Sequence, residues 1–272
     1  GDVYWESPWG KGRPGWHIEC SAMSTSILGD SFDLHCGGVD NICPHHENEI
    51  AQSEAISGET YSRYWMHCAY LIVDGKKMSK SLGNFYTLDQ IIKLGYSGRE
   101  IRYELITTHY RQTLNFTFKS LDANRNSLSR LDEFYLKLKD HSKNSNKDDL
   151  PEWAKKTKDL FIQYMDDDMN ISGALGAIFD LVHKGNILLN EDNVTPNEAL
   201  GIIKILKELD QVLGFIIPDE NIIPQEVEDL AQLRDTAREE KRWSDSDQIR
   251  DDIYKLGWSI KDTADGFKLR KL

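Results

Sequence analysis

No run of about 18 apolar residues occurs anywhere in this 272-residue chain, so the sequence offers no helix able to cross a bilayer. Its opening, Gly1-Asp2-Val3-Tyr4-Trp5, has neither a basic stretch nor an apolar core of the secretory kind, and reads as the interior of a longer protein. Cysteine is scarce: Cys20, Cys36, Cys43 and Cys68, all in the first quarter, are too few in a chain of this length for a disulfide framework. Positive charge is in deficit, with 33 Lys and Arg against 45 Asp and Glu and a net charge of -12. That excludes generic adhesion to nucleic acid or anionic lipid, while leaving room for one local basic face. No internal repeat is present. What remains is the expectation of a soluble cytoplasmic protein with no membrane partner. Its apolar fraction of 39% suits a folded core, and its length suits more than one unit.

Residues 1–15 are dense in Trp, Gly and Pro and read as a loop. Apolar residues at 18, 22, 23 and 27 then recur at a helical interval, stopped by Gly29. Phe32 to Cys36 reads as a strand, Gly37-Gly38 as a turn allowing close approach, and 44–57 as a helix with Pro44 at its first position and Gly58 past its end. Tyr64 to Val73 is aromatic and β-branched enough for a second buried strand. Strand–helix alternation of this kind predicts a parallel sheet. From Leu88 onward the pattern is helical, over 88–94, 98–109, 118–139, 152–166, 172–189, 196–213, 225–241 and 245–256. The polar stretch 141–149 reads as a flexible linker. Trp258 to Ile260 and Phe267 to Leu269 around Asp265-Gly266 suggest a hairpin. The fold class is α/β followed by all-α.

Two groups of residues have the composition of a chemical site. His45 and Glu49, four apart, share one helical face, and Cys20 lies on the preceding helix. Sulfur, imidazole and carboxylate are all donors that Zn²⁺ accepts, and three protein ligands with one open position is a catalytic arrangement. Cys36, Cys43 and His46 are further donors nearby. The other reading of the same residues is a buried cysteine and an i,i+4 surface pair. The second group is the loop Lys76-Lys77-Met78-Ser79-Lys80-Ser81-Leu82-Gly83-Asn84, whose ammonium groups and hydroxyls suit a phosphate that gains charge during reaction. Gly38 and Asp40 add a backbone that approaches a nucleotide closely and a carboxylate for ribose hydroxyls. Trp5, Trp9 and Trp16 are candidates to line a pocket.

Three segments together resemble the cysteinyl-tRNA synthetase family of class I synthetases: Trp9 to Met23, Pro44 to Gln52, and Lys77 to Asn84. The likeness continues in Met165 to Asn170, in Ala237-Arg238 with Lys241, and in Ser246-Asp247 with Ile249-Arg250, which look like that family's tRNA-binding region. The resemblance implies the C-terminal half of a Rossmann-type parallel-sheet catalytic domain over 1–95, carrying a zinc site and the lysine loop. It implies a helical connective region over 96–140 and a helical bundle that binds tRNA and its anticodon stem over 141–272.

It further implies ATP-dependent ligation of L-cysteine to tRNA(Cys) through cysteinyl-adenylate. One Zn²⁺ per subunit is held by Cys20, His45 and Glu49, Trp16 closes around the substrate sulfur, and Lys77 and Lys80 act on the pyrophosphate. Gly38, Asp40, Lys77, Met78, Ser79, Lys80 and Ser81 hold ATP, used with Mg²⁺, and the enzyme is monomeric. Arg234, Arg238, Lys241, Arg242 and Arg250 are candidate tRNA contacts. The family's fourth zinc ligand, a cysteine on the N-terminal side, and its His-Ile-Gly-His-type segment have no counterpart here, so a chain truncated at that side is expected to be unable to complete adenylation alone. Cys43 and Cys68 depart from the family's pattern and read as packing variants. Two alternatives stand beside this: a ligase joining cysteine to an amino-sugar, and a non-catalytic fragment that binds tRNA or protein.

Overall fold

The computed structural model describes residues 3–218, 225–263 and 266–271. A short hairpin of β1 (Trp5–Ser7) and β2 (Gly10–Gly12) leads into α1 (Trp16–Leu28), β3 (Phe32–Gly38), α2 (Glu47–Ser57) and β4 (Ser62–Cys68). Then come β5 (Leu71–Val73), β6 (Lys76–Lys77), α3 (Leu88–Lys93), α4 (Gly98–Thr107) and β7 (Leu114–Phe116). The rest is helical, with α5 (Phe118–His141), α6 (Glu152–Asp166), α7 (Ile171–Asn190), α8 (Pro196–Leu213), α9 (Gln225–Glu239) and α10 (Trp243–Lys255). Antiparallel β8 (Trp258–Thr263) and β9 (Gly266–Lys271) end it as the hairpin expected from sequence. Asp265, at its expected turn, lies outside the described residues.

The predicted alternation produces the predicted pairing. β3 and β4 run parallel, from Phe32 opposite Ser62 to Gly38 opposite Cys68, with α2 as the crossover. Gly37 and Gly38 are therefore strand residues and not the turn; the turn is the 3-10 segment Val39–Asn41 that follows. The strand expected over 64–73 is two strands. It breaks at Ala69-Tyr70, after which β5 joins a different sheet, antiparallel to β6 and parallel to β7. Tyr64, expected to be buried, is exposed. β7 was hidden from pattern reading because it is three residues long, wedged between two helices.

The helix around Glu49 begins later than Pro44 suggests. A π-helical turn over Ile42–His46, interrupted by the extended Cys43 (φ -131°, ψ 127°), comes first, and regular α-helix starts at Glu47; the Cys43–Pro44 bond is cis. His46 and Glu47 already have helical dihedrals, which keeps His45 and Glu49 on one face. Gly58 ends the helix in the left-handed region at φ 72°, its N–H reaching the carbonyl of Glu54.

Two compact units divide the chain. The first comprises Gly1–Tyr86, Ile101–Asn126 and Glu152–Lys184, the second Thr87–Glu100, Ser127–Pro151 and Gly185–Leu272. Val73, Phe116, Leu121, Phe161, Ile178 and Leu181 are buried in the first; Phe134, Leu138, Ile202, Leu206, Leu213 and Phe215 are buried in the second. Helix α8 shows how sequence builds such an element. Thr195 and Glu198 form a reciprocal capping box, Pro196 takes the first turn, Gly214 closes the end, and the stripe through Ile203, Leu206, Leu209 and Leu213 is buried.

In this second unit the stretch 141–149 is not the free linker its polarity suggests. His141 Nε2 donates to the Val194 carbonyl, Ser145 Oγ to Asn197 Oδ1, and the Asp149 N–H to the Asn197 carbonyl, while Lys204 pairs with Asp148 at 2.7 Å. Polar composition here serves to dock a loop on α8. A smaller cluster of Val227, Ala231, Ile253 and Trp258 packs α9, α10 and the final hairpin together.

Candidate functional site

Cys20 on α1, His45 just before α2 and Glu49 in its first turn bring one donor atom each to within 4.8 Å of one another. Helices α1 and α2 are tied together where this happens, since Ser21 Oγ donates to Gln52 Oε1 at 2.7 Å, one residue beyond Cys20. Glu49 is 0% exposed, and its Oε1 has no hydrogen-bond partner, lying 3.8 Å from His45 Nε2. A carboxylate oxygen buried without a partner is costly. A divalent cation between Oε1, the thiol and Nε2 relieves that cost, and the three residues are a donor set able to hold one. Burial first, then the Glu49 carboxylate, pushes the Cys20 thiol pKa up, a sign that a cation reverses.

Around these three stands a layer of rings, of which the sequence pointed to Trp16 and His46 but not to His17, His35, Trp65 or His67. His45 Nδ1 lies 2.6 Å from His17 Nδ1, and Trp16 stacks on the His45 ring at 4.0 Å. Because the Glu49 carboxylate accepts, His35 carries its proton on Nε2 and donates to Oε2 at 3.0 Å. His35 stacks in turn on Trp65, and His46 Nδ1 meets His67 Nε2 at 2.8 Å. Burial, followed by the neighbouring His35, His67 and His45, lowers the His46 pKa to about 4, so this ring is neutral. Gly37 is required beneath it: a Cβ there would lie 2.6 Å from His46 Cε1. His35, His46 and Glu49 form a second group of donors within 4.8 Å, sharing the same carboxylate. The available signal was compositional, since five of the eight histidines fall between residues 17 and 67.

The lysine loop stands on the sheet of β5, β6 and β7. Asp74 (φ 48°) and Gly75 (φ 73°) make the tight turn between β5 and β6. Lys77 sits on β6, and Lys80 and Ser81 open a 3-10 turn closed by Gly83. Asn84, quoted in the motif but given no role there, holds the loop. Its Oδ1 accepts the Ser79 N–H at 2.9 Å, and its Nδ2 donates to the Lys77 carbonyl at 3.1 Å. Ser79 Oγ meets Ser81 Oγ at 2.7 Å, while Met78 is half-buried. Both lysines are exposed, and Lys80 Nζ lies 5.6 Å from the Phe85 ring. Asp40 is exposed on the 3-10 turn after β3 with its carboxylate folded against Gly38.

Several sequence expectations change. Trp5 and Trp9 lie on the β1–β2 hairpin and are exposed, Trp9 at 93%; of the three tryptophans it is Trp16 that stacks on His45 of the donor group. Cys43 and Cys68 are exposed rather than packed, and Cys68 Sγ reaches the Gly37 carbonyl at 3.5 Å. Arg234 is 4% exposed and bonded to Asp262 at 2.7 Å, so it is an internal residue of the C-terminal unit and not a surface cation. Arg238 also reaches Asp262, Arg242 pairs with Glu240 and Asp245, and Arg250 pairs with Asp247. No helix among the described residues is long and apolar enough to cross a membrane.

Residues 1–126 match the model of the class I (C) tRNA synthetase catalytic domain, and residues 160–217 match the DALR domain. Among curated proteins, cysteine–tRNA ligases of Chlamydia caviae and Chlamydia felis are 46% and 47% identical over 100% of this chain, which covers 58% of each. That of Protochlamydia amoebophila is 45% identical, with 57% of it covered. The chain thus spans a little over half the length of these relatives. Among solved structures, the LeuRS of Agrobacterium radiobacter K84 agnB2, in a ternary complex with tRNA and LeuAMS, matches 78% of this chain and 32% of its own, with a TM-score of 0.62 at 15% identity. That likeness shows a class I synthetase fold. Two domain models matched in order, with such identity along its whole length, make the chain similar to cysteine–tRNA ligases, with a class I (C) synthetase catalytic part followed by a DALR part.

Proposed function

We propose that this chain supplies the amino-acid-selecting site, the lysine loop and the helical tRNA-facing part of a cysteine–tRNA ligase that works in the cytoplasm beside translation. The observation that carries this is the convergence of Cys20, His45 and Glu49 around the unpartnered, fully buried Oε1 of Glu49. It is supported by identity to cysteine–tRNA ligases over the entire chain.

The reaction has two steps. The cysteine carboxylate attacks the α-phosphate of ATP, releasing pyrophosphate and leaving cysteinyl-adenylate. A ribose hydroxyl at the tRNA end then takes the acyl group and releases AMP. A pocket that reads size alone discriminates by about 1–3 kcal/mol per methylene, too little to separate cysteine from alanine or serine reliably. Zn²⁺ held by Cys20, His45 and Glu49 would supply the missing discrimination by lowering a thiol's pKa and favouring sulfur over a hydroxyl oxygen.

The chain's own residues do the rest. With Nε2 turned to the donor group, His45 keeps its proton on Nδ1 and donates it to His17, which fixes the ring. His35 fixes the Glu49 carboxylate in the same way. Trp16, stacked on His45, walls the pocket where the substrate side chain enters. Lys77 and Lys80, exposed on a loop tied by Asn84, neutralise the pyrophosphate as it departs, with Mg²⁺ as the usual companion of the triphosphate. Gly38, Asp40, Met78, Ser79 and Ser81 complete the nucleotide side. The DALR-matched helices and the C-terminal unit face tRNA(Cys), through Arg238, Lys241, Arg242 and Arg250.

Cysteine-dependent ATP–pyrophosphate exchange by the full-length protein tests this. The exchange is expected to require zinc and to discriminate against serine. Exchange that survives complete zinc removal with undiminished preference for cysteine would overturn the selection mechanism.

A further inference from the structure

Three consecutive side chains close on one residue in the turn between α6 and α7. Tyr110 Oη donates to Asp168 Oδ1 at 2.6 Å. Arg111 donates through Nε to Oδ2 at 2.7 Å and through Nη2 to Oδ1 at 3.4 Å. His109 donates from Nε2 to the Asp168 carbonyl oxygen at 2.8 Å, while its Nδ1 accepts the Arg111 N–H, which fixes its tautomer. Asp168 (φ 51°) and Met169 (φ 55°) are both in the left-handed region, which Asp tolerates and Met rarely adopts. Capping does not explain Asp168, because Asn170 caps α7 by accepting the Gly173 N–H. Backbone of this kind persists where surrounding bonds over-determine it, as the bonds to Asp168 do.

The other end of the gripped segment leads to the lysine loop. The Tyr110 carbonyl accepts the Ala69 N–H at 2.7 Å, and the Leu114 N–H donates to the Tyr70 carbonyl at 3.0 Å. From there β7 pairs with β5 residue by residue, Leu71 opposite Leu114 and Val73 opposite Phe116. Asn115 Oδ1 and the Phe116 carbonyl accept the N–H groups of Gly75 and Asp74, the two residues of the turn into β6. β6 carries Lys77, and the loop it opens carries Lys80. An unbroken series of hydrogen bonds and chain links within one compact unit therefore runs from Asp168 to the strand and turn that present the lysines.

We propose that Asp168 is a positioning residue for the lysine loop: it anchors the 109–112 turn, and through β7 holds the β5–β6 pair in the placement that aims Lys77 and Lys80 at the triphosphate. This rests on the adenylation reading above. Displacement of a charged group by about 1 Å is enough to lower a rate by on the order of 100-fold, so a remote anchor has measurable consequences.

The test uses the full-length protein and its Asp168→Ala, Asp168→Asn and Lys80→Ala variants, alone and combined. In ATP–pyrophosphate exchange, Asp168→Ala is expected to lower kcat about 10-fold or more, with the KM for cysteine and the zinc content unchanged. Asp168→Asn, which keeps an acceptor for Tyr110, is expected to recover part of the loss. In the Lys80→Ala background the Asp168→Ala effect is expected to shrink to less than about 2-fold, because residues acting through one another are not additive. Equal losses in both backgrounds, or a loss that falls on cysteine KM, would overturn the proposal. Amide hydrogen exchange read at Ala69, Gly75 and Leu114 decides the mechanical link independently of any activity. Faster exchange there in Asp168→Ala, with β4 amides unchanged, supports it, and no change refutes it. Full activity of Lys80→Ala alone would instead count against the lysine reading, leaving hydrogen exchange to judge Asp168.

Discussion

His35 Nε2 lies 3.0 Å from Glu49 Oε2 and leaves the other carboxylate oxygen, Oε1, turned toward Cys20 and His45 with nothing to bond. One histidine thus orients the carboxylate of the proposed zinc site. Residues in that position typically change metal affinity by about 10–100-fold when replaced. His35→Leu is expected to weaken zinc binding by that order while Cys20, His45 and Glu49 remain in place. Competition with a chromophoric chelator measures it. Unchanged affinity would show that Glu49 is held in place by packing alone.

Removing the ligands themselves is a stronger intervention. Cys20→Ser with Glu49→Gln removes the sulfur and the carboxylate charge, leaving one imidazole of the three donors. Zinc content by mass spectrometry is expected to fall to background. Retention of a full equivalent would place the ion elsewhere.

Lys80→Ala is expected to slow adenylation by on the order of 10²–10³-fold, the range for deleting one electrostatic stabiliser of a developing charge, and to leave cysteine binding nearly unaltered. Single-turnover formation of the adenylate, set against equilibrium binding of cysteine, separates the two. Equal losses in both would make Lys80 a residue of general binding or stability.

Much of this was legible beforehand, and the exceptions share causes. The strand–helix alternation, the parallel pairing of β3 with β4 and the long helices followed from periodicity, because long periodic elements state their burial in the sequence. Cys20, His45 and Glu49 were visible as donors, but only folding shows them meeting. Gly37 and Gly38 looked like a turn because glycine is the usual turn residue; here Gly37 is glycine to admit the His46 ring. Pro44 misplaced the helix start because it lies in a π-helical turn, Ile42–His46, that precedes the regular α-helix. The sequence gives no role to His17, His35 or His67, since holding another side chain leaves no spacing to detect. Asp168 and Arg111 are far apart in sequence, and no local pattern joins them.

In the second unit, Leu206 lies on the buried stripe of α8 and is 1% exposed. Leu206→Ala removes its methyl groups and leaves a cavity, at a cost of about 2–5 kcal/mol. Denaturant unfolding is expected to show that loss as a lower midpoint with the slope unchanged. A loss below about 0.5 kcal/mol would mean that the site is not part of a packed core.

Acid sensitivity of the C-terminal unit follows from Asp262. Its hydrogen bond to Arg234 holds its carboxyl below the usual carboxylate range, as do the charges of Arg234, Arg238 and Arg250. A carboxylate whose folded pKa is depressed stabilises the fold above its unfolded pKa of about 3.9 and loses that contribution as pH falls through the folded value. Asp262→Asn is therefore expected to be less stable than the parent at neutral pH, with the difference vanishing in acid. Trp258, buried on the same strand, β8, reports it by fluorescence. A difference independent of pH would assign the effect to packing.

The most direct test of the account is the charging of tRNA(Cys) transcripts by the full-length protein, with zinc content measured on the same preparation. Cysteinyl-tRNA formation is expected, and is expected to be lost together with zinc in the Cys20→Ser, Glu49→Gln variant. Robust cysteine-dependent pyrophosphate exchange with no acylation of tRNA would contradict it and point to a different acceptor for the activated cysteine.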